Sequence, residues 1–251
     1  MISLSDQEIP GSGVVHVWTI DLEEAALDLP ELLSDDEITR FSSINHKKAR
    51  LDFLRSRVSL RLILASYLGV TAADIAFSYN ENGKPELALS GYPMLNFNLS
   101  HSDKYCLLAV AADSEIGVDV ERVQATRDYH ALARRFFTPS EFQLIRNAQD
   151  ESLFYRMWVL KEASVKARGM QLLAGLDRFK CTVSKDGTLK VSDKLGQDDP
   201  GNWSVRQWQP DSQSSAALVV RDAEAEFVDK TLAGLLTTPI KHDMAKHGSV
   251  S

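Results

Sequence analysis

Ile116-Gly117-Val118-Asp119-Val120-Glu121 alternates strictly between two kinds of residue. A strand sends successive side chains to opposite faces, so Ile116, Val118 and Val120 share one face and Gly117, Asp119 and Glu121 the other. The first face suits a core. The second sets two carboxylates side by side, where they repel each other unless a cation lies between them. Mg²⁺ is a cation of this kind: it takes only one or two carboxylates, with substrate phosphates and retained waters. Gly117 leaves room beside the pair for a ligand to approach the backbone. By itself the stretch equally describes a half-buried strand with a solvated acidic face.

Downstream, Phe154-Tyr155-Arg156-Met157-Trp158-Val159-Leu160-Lys161-Glu162-Ala163-Ser164-Val165-Lys166 reads as one helix. Glu162 and Lys166 stand four residues apart on one face, and the same step runs back through Trp158 to Phe154. That face turns from aromatic to charged along its length. Such a pair alone is an ordinary surface salt bridge. Beside Asp119 and Glu121 it becomes a more specific set, three carboxylates and one lysine. A metal ion with a lysine is the equipment of phosphoryl chemistry, where charge must be neutralised around a leaving phosphate. The carboxylates do not distinguish Mg²⁺ from Mn²⁺.

The remaining chain narrows the class. Its 251 residues, 44% of them hydrophobic, supply ample core for one or two domains. A net charge of −7 argues against general nucleic-acid binding. Cys106 and Cys181 form no metal or redox motif and fit a reducing cytoplasm. The first ten residues have no basic, apolar leader, and the apolar run from Leu60 to Val70 contains Arg61, so no membrane is expected. Strands are expected at 14–21 and 75–79, followed by an antiparallel meander of 95–99, 105–111 and 115–121. Late strands are expected at 180–184, 188–191, 204–209 and 215–220. Ser34 with Glu37 forms a capping box, and a long helix spans 47–68 with Gly69 at its end; further helices cover 129–136, 139–147 and 152–167.

Five short motifs follow one another: Gly83-Lys84-Pro85; Phe97-Asn98-Leu99-Ser100-His101-Ser102; Gly117-Val118-Asp119-Val120-Glu121; Arg135-Phe136-Phe137-Thr138-Pro139-Ser140-Glu141-Phe142; and Trp158 to Lys166. In this order they resemble the 4′-phosphopantetheinyl transferases. The nearest resemblance is to the longer, single-chain, surfactin-synthetase-activating type, which modifies carrier domains of peptide, polyketide and fatty-acid synthases. The resemblance covers about residues 35–185.

What it implies is concrete. The enzyme would move the phosphopantetheine arm of coenzyme A onto a serine of an apo carrier protein and release adenosine 3′,5′-bisphosphate. Asp119, Glu121 and Glu162 would hold Mg²⁺ (or Mn²⁺) against the pyrophosphate. Lys166 would contact the reacting phosphate. Lys84, Ser100 and His101 would line the nucleotide end, with Arg40 or Arg57 near the 3′-phosphate. Glu162, directly or through a metal-bound water, and Lys166 are both candidates for the base. A Mg²⁺-dependent nucleotide hydrolase and a non-catalytic coenzyme A or carrier-binding protein are the alternatives.

The implied fold is α+β, with two similar lobes related by a pseudo-two-fold axis. Each lobe is a small, mainly antiparallel sheet packed with helices, and the active site lies in the cleft between them. The lobes are expected at 1–112 and 113–236, with a tail over 237–251. Relatives of this length act as monomers. The basic run Arg40, Lys47, Lys48, Arg50, Arg55, Arg57 and Arg61, opposed locally only by Asp52, is expected to be a solvated face that steers an acidic carrier. Phe136 and Phe137 are expected to pack, and Thr138 with Glu141 to cap a helix.

Overall fold

Two sheets lie face to face, each backed by one long helix. The computed structural model describes residues 4–25, 27–88, 90–92, 95–124, 128–148, 151–171, 175–194, 203–222 and 224–236. The expected tail therefore lies outside the described residues.

The first sheet has the order β11-β1-β5-β4. It comprises β1 (Val14–Asp21), β4 (Asn96–Ser102), β5 (Tyr105–Ala111) and β11 (Glu226–Thr231). The second has the order β6-β10-β9, from β6 (Ile116–Arg122), β9 (Ser204–Trp208) and β10 (Ser214–Val220). Two small hairpins join β2 (Phe77–Tyr79) to β3 (Pro85–Leu87) and β7 (Phe179–Val183) to β8 (Leu189–Asp193). The helices are α1 (Leu22–Ala25), α2 (Asp35–Ser43), α3 (Lys47–Leu68), α4 (Tyr129–Phe136), α5 (Pro139–Ala148), α6 (Glu151–Ala167) and a last turn, α7 (Leu232–Leu235).

Period-two alternation divides the core into three layers. Val15, Val17, Leu107 and Ala109 of the first sheet meet Ile116, Val118, Ala216 and Leu218 of the second. The opposite face of the first sheet, with Trp18, Ile20, Cys106 and Leu108, packs on α3 residues such as Leu60 and Leu64. The opposite face of the second, with Ala217 and Val219, packs on α6 through Phe154, Trp158 and Ala163. This is the α+β arrangement the motifs implied: small, mainly antiparallel sheets packed with helices.

Two expectations change. The third meander strand does not pair with β5. β6 leaves the first sheet and pairs with β10, from Ile116 opposite Val220 to Arg122 opposite Ser214. Its apolar face covers the first sheet and its other face receives α6. The second change is β11, a strand the sequence reading passed over. It returns from the far end of the chain to lie parallel to β1, with Val14 opposite Glu226 and Thr19 opposite Thr231. The first sheet is thus closed by a segment that the expected division groups with the second half.

The expected caps are present. Ser34 accepts from the Glu37 amide while Glu37 accepts from the Ser34 amide. Gly69, at φ +63°, ends α3 in the left-handed conformation that glycine adopts without penalty. The basic helix is less free than expected. Arg61 is fully buried, bonded to Glu37 (2.7 Å) and to the Ala72 and Ile75 carbonyls. Arg55 pairs with Asp28 (2.7 Å), and Lys48 with Asp103 as well as Asp52. Partners distant in sequence therefore oppose this run, not Asp52 alone.

Candidate active site

β4 and β6 are edge strands of different sheets, and their mutual contact builds the site. Side chains join them where no backbone ladder does. The Val118 amide donates to Asn98 Oδ1 (2.8 Å), Ser100 Oγ donates to Asp119 Oδ1 (2.8 Å), and Ser102 Oγ to Glu121 Oε2 (3.2 Å). The Arg122 amide in turn donates to Ser102 Oγ (3.1 Å). Asn98, Ser100 and Ser102 are alternate residues, so all three leave the same face of β4. The reading of the motif singled out Ser100 and His101; the period-two recurrence Asn-x-Ser-x-Ser is the signal that would have added Asn98 and Ser102.

α6 closes the opposite side. A Cβ on Gly117 would fall 2.0 Å from the Ala163 carbonyl oxygen and 2.4 Å from the Ala167 nitrogen. The room beside Gly117 is therefore filled by the helix backbone, not kept for a ligand. This close approach brings Glu162 and Lys166 against Asp119. Lys166 Nζ donates to Asp119 Oδ1 (2.6 Å) and to Ser100 Oγ (2.9 Å).

A buried network sets the rotation of α6. Lys161, which the sequence reading left without a role, is wholly buried beside Glu162. Its ammonium donates to both oxygens of Glu141 (3.0 and 2.8 Å) and to the Phe179 carbonyl (2.7 Å). Glu141 also receives the Cys181 amide (2.6 Å) and the Thr138 amide (2.7 Å). The expected Thr138–Glu141 cap is present, and its carboxylate also anchors the motif helix. Despite burial, which acts upward, Lys161 and the two amides hold the Glu141 pKa below its ordinary value.

The acidic group is strained electrostatically. Burial, then the charge of Asp119 and more weakly that of Glu121, push the Glu162 pKa up to about 9, against the opposing pull of Lys166. Asp119 Oδ2 is buried and meets no hydrogen-bond donor. Two ionised carboxylates offer each other only acceptors, so that oxygen is satisfied either by a proton on Glu162 or by a cation. Among the described residues no three His, Cys, Asp or Glu side chains form a ready coordination cluster.

The other expected residues surround this centre unevenly. Strand alternation sends Ser100 towards Asp119 and His101 to the opposite face, towards α3. His101 is exposed as a residue, yet its ring lies low enough for desolvation to lower its pKa; Lys166, Arg57 and Arg40 act the same way, against Asp52. Arg40 and Arg57 flank one ring, their guanidinium carbons 5.5 and 5.7 Å from the Phe53 centroid. Arg40 is exposed, whereas Arg57 lies 3.7 Å from Glu37. Lys84, with Gly83, Asn98, Leu99, Lys166 and Met170, lines a cavity of about 240 Å³, but its ammonium is engaged by the end of α6.

This geometry can be set beside known proteins. A model of the 4′-phosphopantetheinyl transferase superfamily matches residues 115–220, and a model of the N-terminal region of a 4′-phosphopantetheinyl transferase matches residues 18–113. The chain is 37% identical over 219 residues to the 4′-phosphopantetheinyl transferase HetI of Nostoc sp., spanning 83% of this chain and 88% of that protein. It is 35% identical over 185 residues to a putative 4′-phosphopantetheinyl transferase of Synechocystis sp., spanning 72% of each. With a 4′-phosphopantetheinyl transferase of Bacillus subtilis it shares 33% identity over 151 residues, 58% of this chain and 64% of that protein. The fold, the site and these similarities define a transferase enzyme. The chain belongs to the 4′-phosphopantetheinyl transferase superfamily.

Proposed function

We propose that this transferase moves the phosphopantetheine arm of coenzyme A to a carrier-protein serine, with a divalent cation, Mg²⁺ foremost, held by Asp119, Glu121 and Glu162. One observation carries the cation: the buried, donorless Oδ2 of Asp119 faces a carboxyl that holds its proton up to about pH 9. Oxygen-only donors of this charge suit a hard ion. When bound, such an ion polarises a pyrophosphate oxygen and neutralises charge that develops there.

The chain's own groups do the rest. The serine oxygen bonds to phosphorus as the phosphorus–oxygen bond to the leaving nucleotide breaks, releasing adenosine 3′,5′-bisphosphate. We assign the serine proton to Glu162, whose own proton a bound cation would displace. Lys166, 2.6 Å from Asp119, balances the acidic cluster and meets the reacting phosphate. Phosphoryl transfer asks for positioning and charge neutralisation more than covalent work, and these residues supply both. His101, Arg40 and Ser100 flank the nucleotide end, while the Gly83–Lys84 backbone faces it from the cavity beside Lys166. Lys47 and Arg50, in the first turn of α3, steer an acidic carrier. The enzyme works as a cytoplasmic monomer, in keeping with two buried, unpaired cysteines.

Calorimetry of coenzyme A binding tests the reading. Added Mg²⁺ should tighten binding in the wild type and not in Asp119→Ala. Equal affinity with and without Mg²⁺ would remove the cation from the site.

A further inference from the structure

Lys84 is a cation that the transfer chemistry leaves unused. It ends a tight turn that organises itself: the Asn80 amide donates to the Lys84 carbonyl (3.0 Å), and Asn80 Oδ1 receives the amides of Asn82 (3.0 Å) and Lys84 (2.9 Å). Gly83 allows the turn with φ +82°. From it three side chains reach the far end of α6. Asn80 and Asn82 both donate to the Gly169 carbonyl, at 3.4 and 2.9 Å. Lys84 Nζ donates to the Lys166 carbonyl at 3.0 Å, with the Ile116 and Ala167 carbonyls at 3.4 and 3.5 Å.

The last carbonyls of a helix lack intrahelical partners and carry partial negative charge, so a cation is favourable there. An ammonium has three donors, and three backbone oxygens surround this one. Nothing is left over for a phosphate. Burial lowers the Lys84 pKa, as expected for a side chain enclosed by backbone. One of its acceptors belongs to Lys166, whose own ammonium reaches Asp119 and Ser100.

We infer that Lys84 is a positioning residue. Its ammonium clasps the C-terminal end of α6 to the first half of the chain, and through the Lys166 carbonyl it fixes the point from which the Lys166 side chain extends. Its part in the site is therefore exerted through Lys166, and it does not contact nucleotide phosphate. This rests on the transferase reading above, because Lys166 is taken to act in transfer.

Lys84→Met keeps the buried stem and removes the three donors. For a clasp, kcat with an apo carrier falls by about tenfold to a hundredfold. The ratio of affinities for coenzyme A and for coenzyme A lacking its 3′-phosphate stays at the wild-type value, and amide exchange at residues 167–170 quickens. A collapse of that ratio would make Lys84 a phosphate ligand and overturn the inference. Wild-type kcat with only a lower Tm would also overturn it, leaving a purely structural contact. If Lys84→Met does not fold, Asn82→Ala removes one donor from the same clasp. A smaller kcat loss with an unchanged affinity ratio is then expected, and an unchanged kcat refutes the clasp. A wild-type protein that modifies no carrier would count against the transferase reading alone, because the exchange readout needs no turnover.

Discussion

Gly117 and Ala163 touch backbone to backbone: a single methyl on Gly117 would overlap the Ala163 carbonyl oxygen at 2.0 Å. That contact decides where α6 lies on β6, and therefore how far Glu162 and Lys166 stand from Asp119. Backbone on both sides cannot swing away as a flexible side chain would. Gly117→Ala should cost about 3 kcal/mol or more, the upper end for overpacking, and should also slow transfer as the helix lifts. Urea denaturation measures the first; a wild-type midpoint would show that the helix is not seated on Gly117.

The raised pKa of Glu162 gives a pH dependence with a definite sign. In the unfolded chain the carboxyl ionises near 4.5, and in the fold only near 9. Between those values the native state holds the extra proton, so stability falls as pH rises through this window. His16 acts oppositely below its ordinary 6.5, because burial lowers its pKa to about 4. From about pH 7 to 8.5 Glu162 dominates; the buried thiols of Cys106 and Cys181, pushed up to about 12, add in the same direction towards the top of the interval and are common to wild type and variant. Melting curves in chelator should show Tm falling across it, with a flatter slope in Glu162→Gln and in the wild type with Mg²⁺. Identical slopes in wild type and Glu162→Gln would contradict the assignment.

Lys161 and Glu141 form a buried pair with every donor and acceptor engaged. Removing one partner strands the other charge, so Lys161→Met should destabilise by about 3–5 kcal/mol. The double variant Glu141→Leu/Lys161→Met should recover only the part due to the stranded charge, because the Cys181 and Thr138 amides and the Phe179 carbonyl still lose their partners. Guanidinium denaturation of the three proteins closes the cycle, and a loss under about 1 kcal/mol for Lys161→Met would show the pair to be incidental.

Much of this was legible in the sequence, for physical reasons. The alternation at Ile116–Glu121 and the four-residue step from Phe154 to Lys166 are local signals, and the structure brings their polar ends together. Caps at Ser34 and Thr138 are likewise local chemistry. What failed depends on distant partners. Nothing within residues 112–115 tells a hairpin from a crossing to a second sheet, so local pattern alone predicts the wrong neighbours for β6. β11 was missed because Glu226–Thr231 is polar and only partly buried, and gains strand structure from β1. Lys161 looked like any helical lysine; its burial follows from Glu141 and Phe179, neither near it in sequence. Gly117 suggests room for a ligand because its occupant, α6, begins more than thirty residues later.

Truncating the acidic centre should be severe and uneven. Asp119→Ala and Glu162→Gln should each lower kcat by about a hundredfold or more, the scale for losing one preorganised electrostatic contact in a transition state. Neither should weaken folding as much as Lys161→Met, since both relieve carboxylate repulsion. Steady-state rates with one apo carrier decide it, and normal turnover by Asp119→Ala would remove that residue from the metal site.

The most direct test is the intact mass of a purified apo carrier protein after incubation with this enzyme, coenzyme A and Mg²⁺. The carrier should gain the mass of one phosphopantetheine arm, and chelator should abolish the gain. Coenzyme A consumed with no mass gained on any of several carriers would contradict transfer and make the chain a hydrolase.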